Sequence, residues 1–298
     1  MLEKSKSLDS DQVFLDLEDS VAPLAKTAAR ENVVKALNEG GYGSRIRSVR
    51  INGTGTQWCD EDIETILAGA GHNLDSIILP KVQSVEDVFW LVHRLAQWES
   101  SQNIELGQVS IEVQIEDALG LINVEVIAAS SNRIQTIIFG PADFMASINM
   151  RSLNVGAQPS GYTEGDAYHY ALMKLLVAGR AFGKQVIDGP YLEIKDLEGL
   201  ALSSNRSAAL GFDGKWVLHP DQIELVNEIF SPTQEEFEQA ELILQAYEYH
   251  TSQIGGQLGA VMLGSQMIDE ASRKMALVVS AKGRAAGLVS GQQFEVGK

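Results

Sequence analysis

The chain has 298 residues, 45% of them hydrophobic, enough for one large core or two modest ones, which argues against disorder. Its formal charge of -17 and pI near 4.7 oppose phosphate backbones and anionic lipid, so nucleic acid and the membrane surface are poor partners and metabolite handling is favoured. A single cysteine, Cys59, set between Trp58 and Asp60 with no base beside it, excludes an internal disulfide and a cysteine-built metal site, and fits an ordinary thiol in a reducing cytoplasm.

In chain order, the first residues lack the apolar centre of a signal peptide, residues 2–8 read as a helix, and no later apolar run reaches membrane-spanning length. Short β-branched runs then alternate with amphipathic helical stretches, the pattern of helices covering a parallel sheet. The runs are 13–17, 46–51, 74–79, 109–115, 134–139, 185–187 and 215–218. Each ends in polar or glycine-rich residues, among them Glu18-Asp19, Asn52-Gly53, Pro80-Lys81, Glu116-Asp117, Gly140 to Asp143, Asp188-Gly189 and His219-Pro220. Rigid strand ends followed by variable loops make that rim the expected binding face of a (β/α) fold. Further helices are expected at 144–150, 167–180 and 234–249, then a hairpin at 261–268 around Gly264-Ser265, a last helix at 269–286 and a frayed tail from 288. The expected organisation is a (β/α) barrel over 1–232 and a small C-terminal helical lid over 233–298.

Two acids close neighbouring apolar runs: Glu116 ends Ile111-Glu112-Val113-Gln114-Ile115-Glu116, and Asp143 follows Gly140-Pro141-Ala142. Acids just past the ends of parallel strands converge on one mouth, where hard oxygen ligands suit a divalent cation. The plainer alternatives are a solvated strand end for Glu116 and a helix cap for Asp143. Arg50 ends an apolar strand, where a guanidinium needs an anion because it keeps its proton, so it is either a substrate clamp or an ion-pair partner of Glu18 or Asp19. Asp269 reads most simply as a helix N-cap. Lys26 and Arg30 share a helix face and are expected to be solvated.

Together, Asp16-Leu17-Glu18-Asp19-Ser20-Val21-Ala22-Pro23 with Lys26 and Arg30, Val49 to Gly53, Leu79-Pro80-Lys81, Ile115-Glu116, Gly140 to Asp143, Trp216 to Pro220 and Gly264 to Asp269 resemble the citrate lyase β-subunit-like (HpcH/HpaI aldolase) CoA ester lyases, closest to the malyl-CoA/β-methylmalyl-CoA lyase group. The resemblance spans nearly the whole chain in order. It implies a (β/α)8 TIM barrel with a C-terminal lid, a trimer or hexamer of identical chains, and Mg2+, with Mn2+ as a substitute. The substrates it implies are a CoA thioester and a 2-oxo acid. Relatives begin with one more strand, ending in a Val-Pro-Gly-like turn, so the first barrel strand is missing from this sequence and a truncated reading frame is the expectation.

By resemblance, Glu116 and Asp143 hold the metal, Arg50 clamps the thioester oxygen and enolate, and Asp269 from a neighbouring chain's lid acts as acid and base at the acetyl carbon. Lys4, Ala142, Leu218 and His219 match positions that contact substrate or coenzyme A, and Glu18 and Asp19 support them. The implied reaction is reversible retro-Claisen cleavage of malyl-CoA or β-methylmalyl-CoA to glyoxylate with acetyl-CoA or propionyl-CoA. Alternatives are a citramalyl-CoA or citryl-thioester lyase, a malyl-CoA thioesterase, and a non-catalytic subunit of a lyase complex. The loop 151–165, beside Asp143, is the expected selector of the oxo-acid side chain.

Overall fold

The computed structural model describes residues 2–295. Its main sheet contains β1 (Gln12–Asp16), β2 (Ile46–Arg50), β3 (Ser76–Leu79), β4 (Ser110–Ile115), β5 (Ile134–Phe139), β6 (Gln185–Asp188) and β7 (Gly214–Lys215). All pair in parallel with their sequence neighbours, giving seven strands in the order β1 to β7. The helices are α1 (Leu2–Ser5), α2 (Lys26–Glu39), α3 (Cys59–Ala70), α4 (Val85–Ser101), α5 (Ala118–Ala129), α6 (Pro141–Ser147), α7 (His169–Ala181), α8 (Leu197–Leu210) and α9 (Ile223–Phe230). After them come α10 (Gln234–Thr251), the antiparallel hairpin β8 (Ala260–Leu263) and β9 (Gln266–Asp269), and α11 (Glu270–Ala285). No helix among the described residues is long and apolar enough to cross a membrane.

The sheet curls. Phe14 of β1 stacks on Trp216, just past β7, with ring centroids 4.3 Å apart, although these strands lie at opposite ends of the hydrogen-bonded order. Across the interior, Glu112 Oε1 of β4 accepts bonds from Gln12 (2.7 Å), Ser48 (2.9 Å) and Ser76 (2.5 Å), tying β1 to β4. The seven strand runs expected from the sequence thus form one curled parallel sheet of seven strands among the described residues. Strands β3, β4 and β5 are almost wholly buried, as strands covered on both faces must be.

Several local expectations also change. The strand expected over 215–218 shrinks to Gly214–Lys215, because the chain turns Trp216 inward onto Phe14. The first helix stops at Ser5. Helix α6 begins earlier than expected, with Gly140 as N-cap and Pro141 in its first turn, where a missing N–H costs nothing. Asp143 thus lies inside the first turn and does not cap it. Lys26 and Arg30 are buried at 5% and 2% exposure. They occupy the inward stripe of α2 with Val33 and Leu37: Arg30 Nε bonds Asp62 Oδ1 at 2.7 Å, and Lys26 Nζ bonds Leu17 O, Glu18 O and Asn52 Oδ1.

The chain divides into two compact units, Met1–Val226 and Asn227–Lys298, with the division inside α9. The second unit has its own core of Ala240, Ile243, Ala246, Ile268 and Ala276. Its helices are set by caps: Thr233 and Glu236 form a capping box at α10, and Asp269 and Ser272 form one at α11.

Candidate active site at the carboxyl ends of the strands

Strand register places the site. Asp16 and Arg50 are paired neighbours at the ends of β1 and β2, and the Arg50 guanidinium grips Asp16 through Nε and Nη2, both at 2.7 Å. The same carboxylate accepts the Glu18 and Ser20 amides, which folds the following turn back over the strand end. Arg50 Nη1 reaches Glu18 Oε2 at 3.2 Å, and the guanidinium lies over the Phe14 and Trp216 rings at 5.9 and 5.5 Å. Burial opposes the Arg50 charge, but Asp16, then Glu18 and Glu116, more than offset it and raise its pKa.

Glu116 follows β4 directly, and Asp117 behind it already caps α5 by accepting the Gly120 amide at 2.7 Å, so strand end and helix start hold Glu116 from both sides. Its carboxylate is 2% exposed and takes bonds from the Lys81 amide (Oε1, 2.7 Å) and Gln114 Nε2 (Oε2, 2.6 Å). Burial, reinforced by Asp143, pushes its pKa up to about 8. Lys81, just past β3, contacts Glu18 with its ammonium and lies 3.3 Å from Asp19 Oδ2 and 3.8 Å from Asp143 Oδ2. Burial alone would depress the ammonium, yet Glu18, with Glu116 and Asp143 behind it, raises its pKa. Burial likewise pushes Glu18 above its ordinary value, opposed by Lys81 and Arg50.

One connected mouth therefore brings together Arg50, Glu18, Asp19, Glu116 and Asp143 of the expected residues. The ion-pair alternative for Arg50 holds with Glu18, while Asp19 pairs with Lys81 instead. Asp16, Phe14, Trp216, Gln114 and Lys81 were not singled out as site residues, although Asp16 opens the same acidic motif as Glu18 and stands in register with Arg50. Lys4, Ala142, Leu218 and His219 take no part in this network: Lys4 is exposed on α1, Ala142 is exposed in the first turn of α6, and Leu218 is 46% exposed. His219 caps the short turn Pro220–Gln222 by accepting the Asp221 amide. Asp188 is committed elsewhere, to a buried ion pair with Lys215 at 2.5 Å. Asp269 belongs to the second unit and caps α11, and the Ser272 amide and hydroxyl hold its carboxyl below the usual range.

The donor set fits a hard divalent cation. Glu116 is held above its ordinary pKa by burial first and by the charge of Asp143 second, and both carboxylates gain from a cation between them. No cluster of three or more His, Cys, Asp or Glu side chains is arranged to hold a metal among the described residues. Two carboxylates completed by water and substrate oxygens is the coordination Mg2+ tolerates best.

The HpcH/HpaI aldolase/citrate lyase family model matches residues 1–220, which is most of the chain. The chain belongs to this family. Within the family it is 38% identical over 287 residues, 94% of this chain and 89% of the relative, to an L-malyl-CoA/β-methylmalyl-CoA lyase of Cereibacter sphaeroides. The mitochondrial citramalyl-CoA lyase of Homo sapiens is 34% identical over 90% of this chain and 77% of its own length. A crystal structure of CitE from Mycobacterium tuberculosis, in complex with magnesium, acetoacetate and coenzyme A, superposes with a TM-score of 0.70 at 27% identity, covering 92% of this chain and 90% of that one.

Proposed function

We propose that this protein is a Mg2+-dependent carbon–carbon lyase that cleaves malyl-CoA or β-methylmalyl-CoA reversibly to glyoxylate and acetyl-CoA or propionyl-CoA. What carries the proposal is the joining of buried Glu116, Asp143 and the guanidinium of Arg50 at one strand-end mouth through Glu18 and Lys81. The names and high coverage of the relatives support the same chemistry.

Glu116 and Asp143 are the residues that would hold Mg2+, with Mn2+ as a substitute. When bound there, the cation supplies Lewis-acid polarisation of the oxygens of the 2-oxo or 2-hydroxy acid. Arg50, pinned by Asp16 and stacked near Phe14 and Trp216, is a fixed positive charge for the thioester oxygen, where negative charge grows as the carbon–carbon bond breaks. Its orientation is settled before substrate arrives, so little reorganisation is needed during reaction. Asp269 is assigned the proton transfer to and from the acetyl carbon, acting from a neighbouring chain in a homo-oligomer. Lys4, Ala142, Leu218 and His219 are assigned to the thioester cofactor and the oxo acid.

The purified chain with Mg2+ should release glyoxylate from malyl-CoA, and Glu116→Gln and Asp143→Asn should each reduce that release by about a hundredfold or more. A panel of malyl-CoA, β-methylmalyl-CoA and citramalyl-CoA ranks glyoxylate against pyruvate as the oxo acid. Near-native turnover in either variant would remove the metal assignment, and release of free CoA without an oxo acid would replace the lyase with a thioesterase.

A further inference from the structure

Four residues other than glycine adopt positive φ among the described residues, Lys81, Asn103, Asn149 and Gln257, and Lys81 is the only charged one. At φ +55° the lysine backbone sits in a conformation that asparagine tolerates far better, and such strain persists where the surroundings impose it. Here the surroundings are the mouth itself. The same residue points its backbone N–H at Glu116 Oε1, 2.7 Å away, and carries its ammonium to Glu18, to Asp19 at 3.3 Å and to Asp143 at 3.8 Å. In an extended or right-handed conformation the amide and the side chain would diverge differently, and one residue could not serve both groups of acids.

We propose that Lys81 is a positioning residue that acts as the resident cation of the acidic mouth: its amide fixes Glu116, while its ammonium holds Glu18 and Asp19 and releases Asp143 to an incoming divalent cation. This rests on the assignment of Glu116 and Asp143 as metal anchors. The graded contacts give the order of release. The ammonium is in direct contact with Glu18 and farthest from Asp143, so Asp143 can be surrendered while Glu18 stays bound. Keeping Glu18 on Lys81 matters for the reaction. Glu18 is shared, with Oε1 on Lys81 and Oε2 on Arg50 Nη1 at 3.2 Å, so a Glu18 freed from lysine would be drawn wholly onto that donor, which is the side of the guanidinium not already committed to Asp16.

The consequence separates this role from plain support of the fold. An ammonium beside the metal anchors repels a divalent cation, so its removal tightens metal binding, while the loss of control over Glu18 slows turnover. Calorimetric titration of the full chain with Mg2+ and with Mn2+, alongside kcat for malyl-CoA, reads both. For Lys81→Met, metal affinity should rise by about tenfold and kcat should fall by about tenfold or more. Lys81→Asn, neutral and at ease with positive φ, should behave alike if the methionine variant folds poorly, as thermal melting will show. Lys81→Arg, which keeps the charge, should return metal affinity toward wild type. Unchanged or weakened metal binding in both neutral variants overturns the proposal, because a supporting role moves affinity and turnover in the same direction. Glu116→Gln serves as the control: if it binds Mg2+ as wild type does, the metal assignment falls, and the role of Lys81 with it.

Discussion

At Gly140 the backbone φ is −103°, open to any residue, yet a Cβ there would lie 2.6 Å from Glu116 Oε2 and 3.0 Å from Gln114 Nε2. Glycine is needed here for contact, not for torsion: the Glu116 carboxylate packs against the bare backbone that opens α6, and Gln114 holds it there. Gly140→Ala should therefore displace Glu116 and cost about 1–3 kcal/mol of stability. It should also weaken Mg2+ binding by roughly 10–100-fold, since groups that orient a ligand matter nearly as much as the ligand. Denaturant unfolding and calorimetry check the two effects, and wild-type metal affinity in the alanine variant would show that Glu116 is not placed by this contact. Glu116, Asp143 and Arg50 were legible in the sequence because each ends an apolar run. Glu18 was legible as a partner of Arg50, but the other partners were not. The Lys81 amide, the Gln114 side chain and the Asp16 grip depend on strand register and on a positive φ, and neither is written in a local pattern of residue types.

The strands were readable as β-branched runs with polar ends, and their parallel order followed from the helices between them. Helix faces were harder. Lys26, Arg30, Val33 and Leu37 share the inward stripe of α2, so burial of the two cations was implied by the positions of their apolar companions, although the anions that make it tolerable, Asp62 above all, lie on another element. A similar arrangement ties the opposite end of the sheet. Glu99, in the last turn of α4 and fully buried, accepts the Gly107 and Val109 amides at 3.0 and 3.3 Å and pairs with Arg133, which precedes β5. Burial alone would raise its carboxyl, but Arg133 and the two amides outweigh it and hold the pKa below the ordinary value. A depressed carboxyl stabilises the fold above its unfolded pKa, near about 4.3, and that contribution is lost as pH falls through the folded value. Glu99→Gln should thus cost about 3 kcal/mol at neutral pH, leaving Arg133 without its counter-charge, and the gap to wild type should close as the solution is acidified below about pH 4. Unfolding curves taken across that window decide it; a pH-independent difference would assign the loss to packing.

For the molecule as a whole, the proposed roles divide between its two compact units. The first gathers the carboxylate pair proposed to hold a cation and a fixed guanidinium: Lys81 and Arg50 are held protonated by surrounding acids, Glu18 is engaged by both of them, and Glu116 is given to the proposed metal. The second unit carries Asp269 at the start of α11, where Ser272 holds it ionised and fixed in direction. An ionised carboxylate is the form required to remove a proton from the acetyl carbon in the condensing direction, and closure over a thioester would raise its basicity by removing water. Asn is as good an N-cap as Asp, so Asp269→Asn removes the proposed acid and base while keeping the helix. The variant should melt as wild type does, retain Mg2+ binding, and lose exchange of the acetyl-CoA methyl protons with solvent by about a hundredfold or more. Mixing it with Arg50→Lys, which loses the two-pronged grip on Asp16, then asks which chain supplies which group. If Asp269 serves a neighbour's mouth, mixed oligomers of the two inactive variants contain some sites with both groups intact, and glyoxylate release returns on mixing. If none returns although the chains exchange, Asp269 works with its own chain's Arg50 or only caps its helix, and the proton-exchange measurement separates those two outcomes.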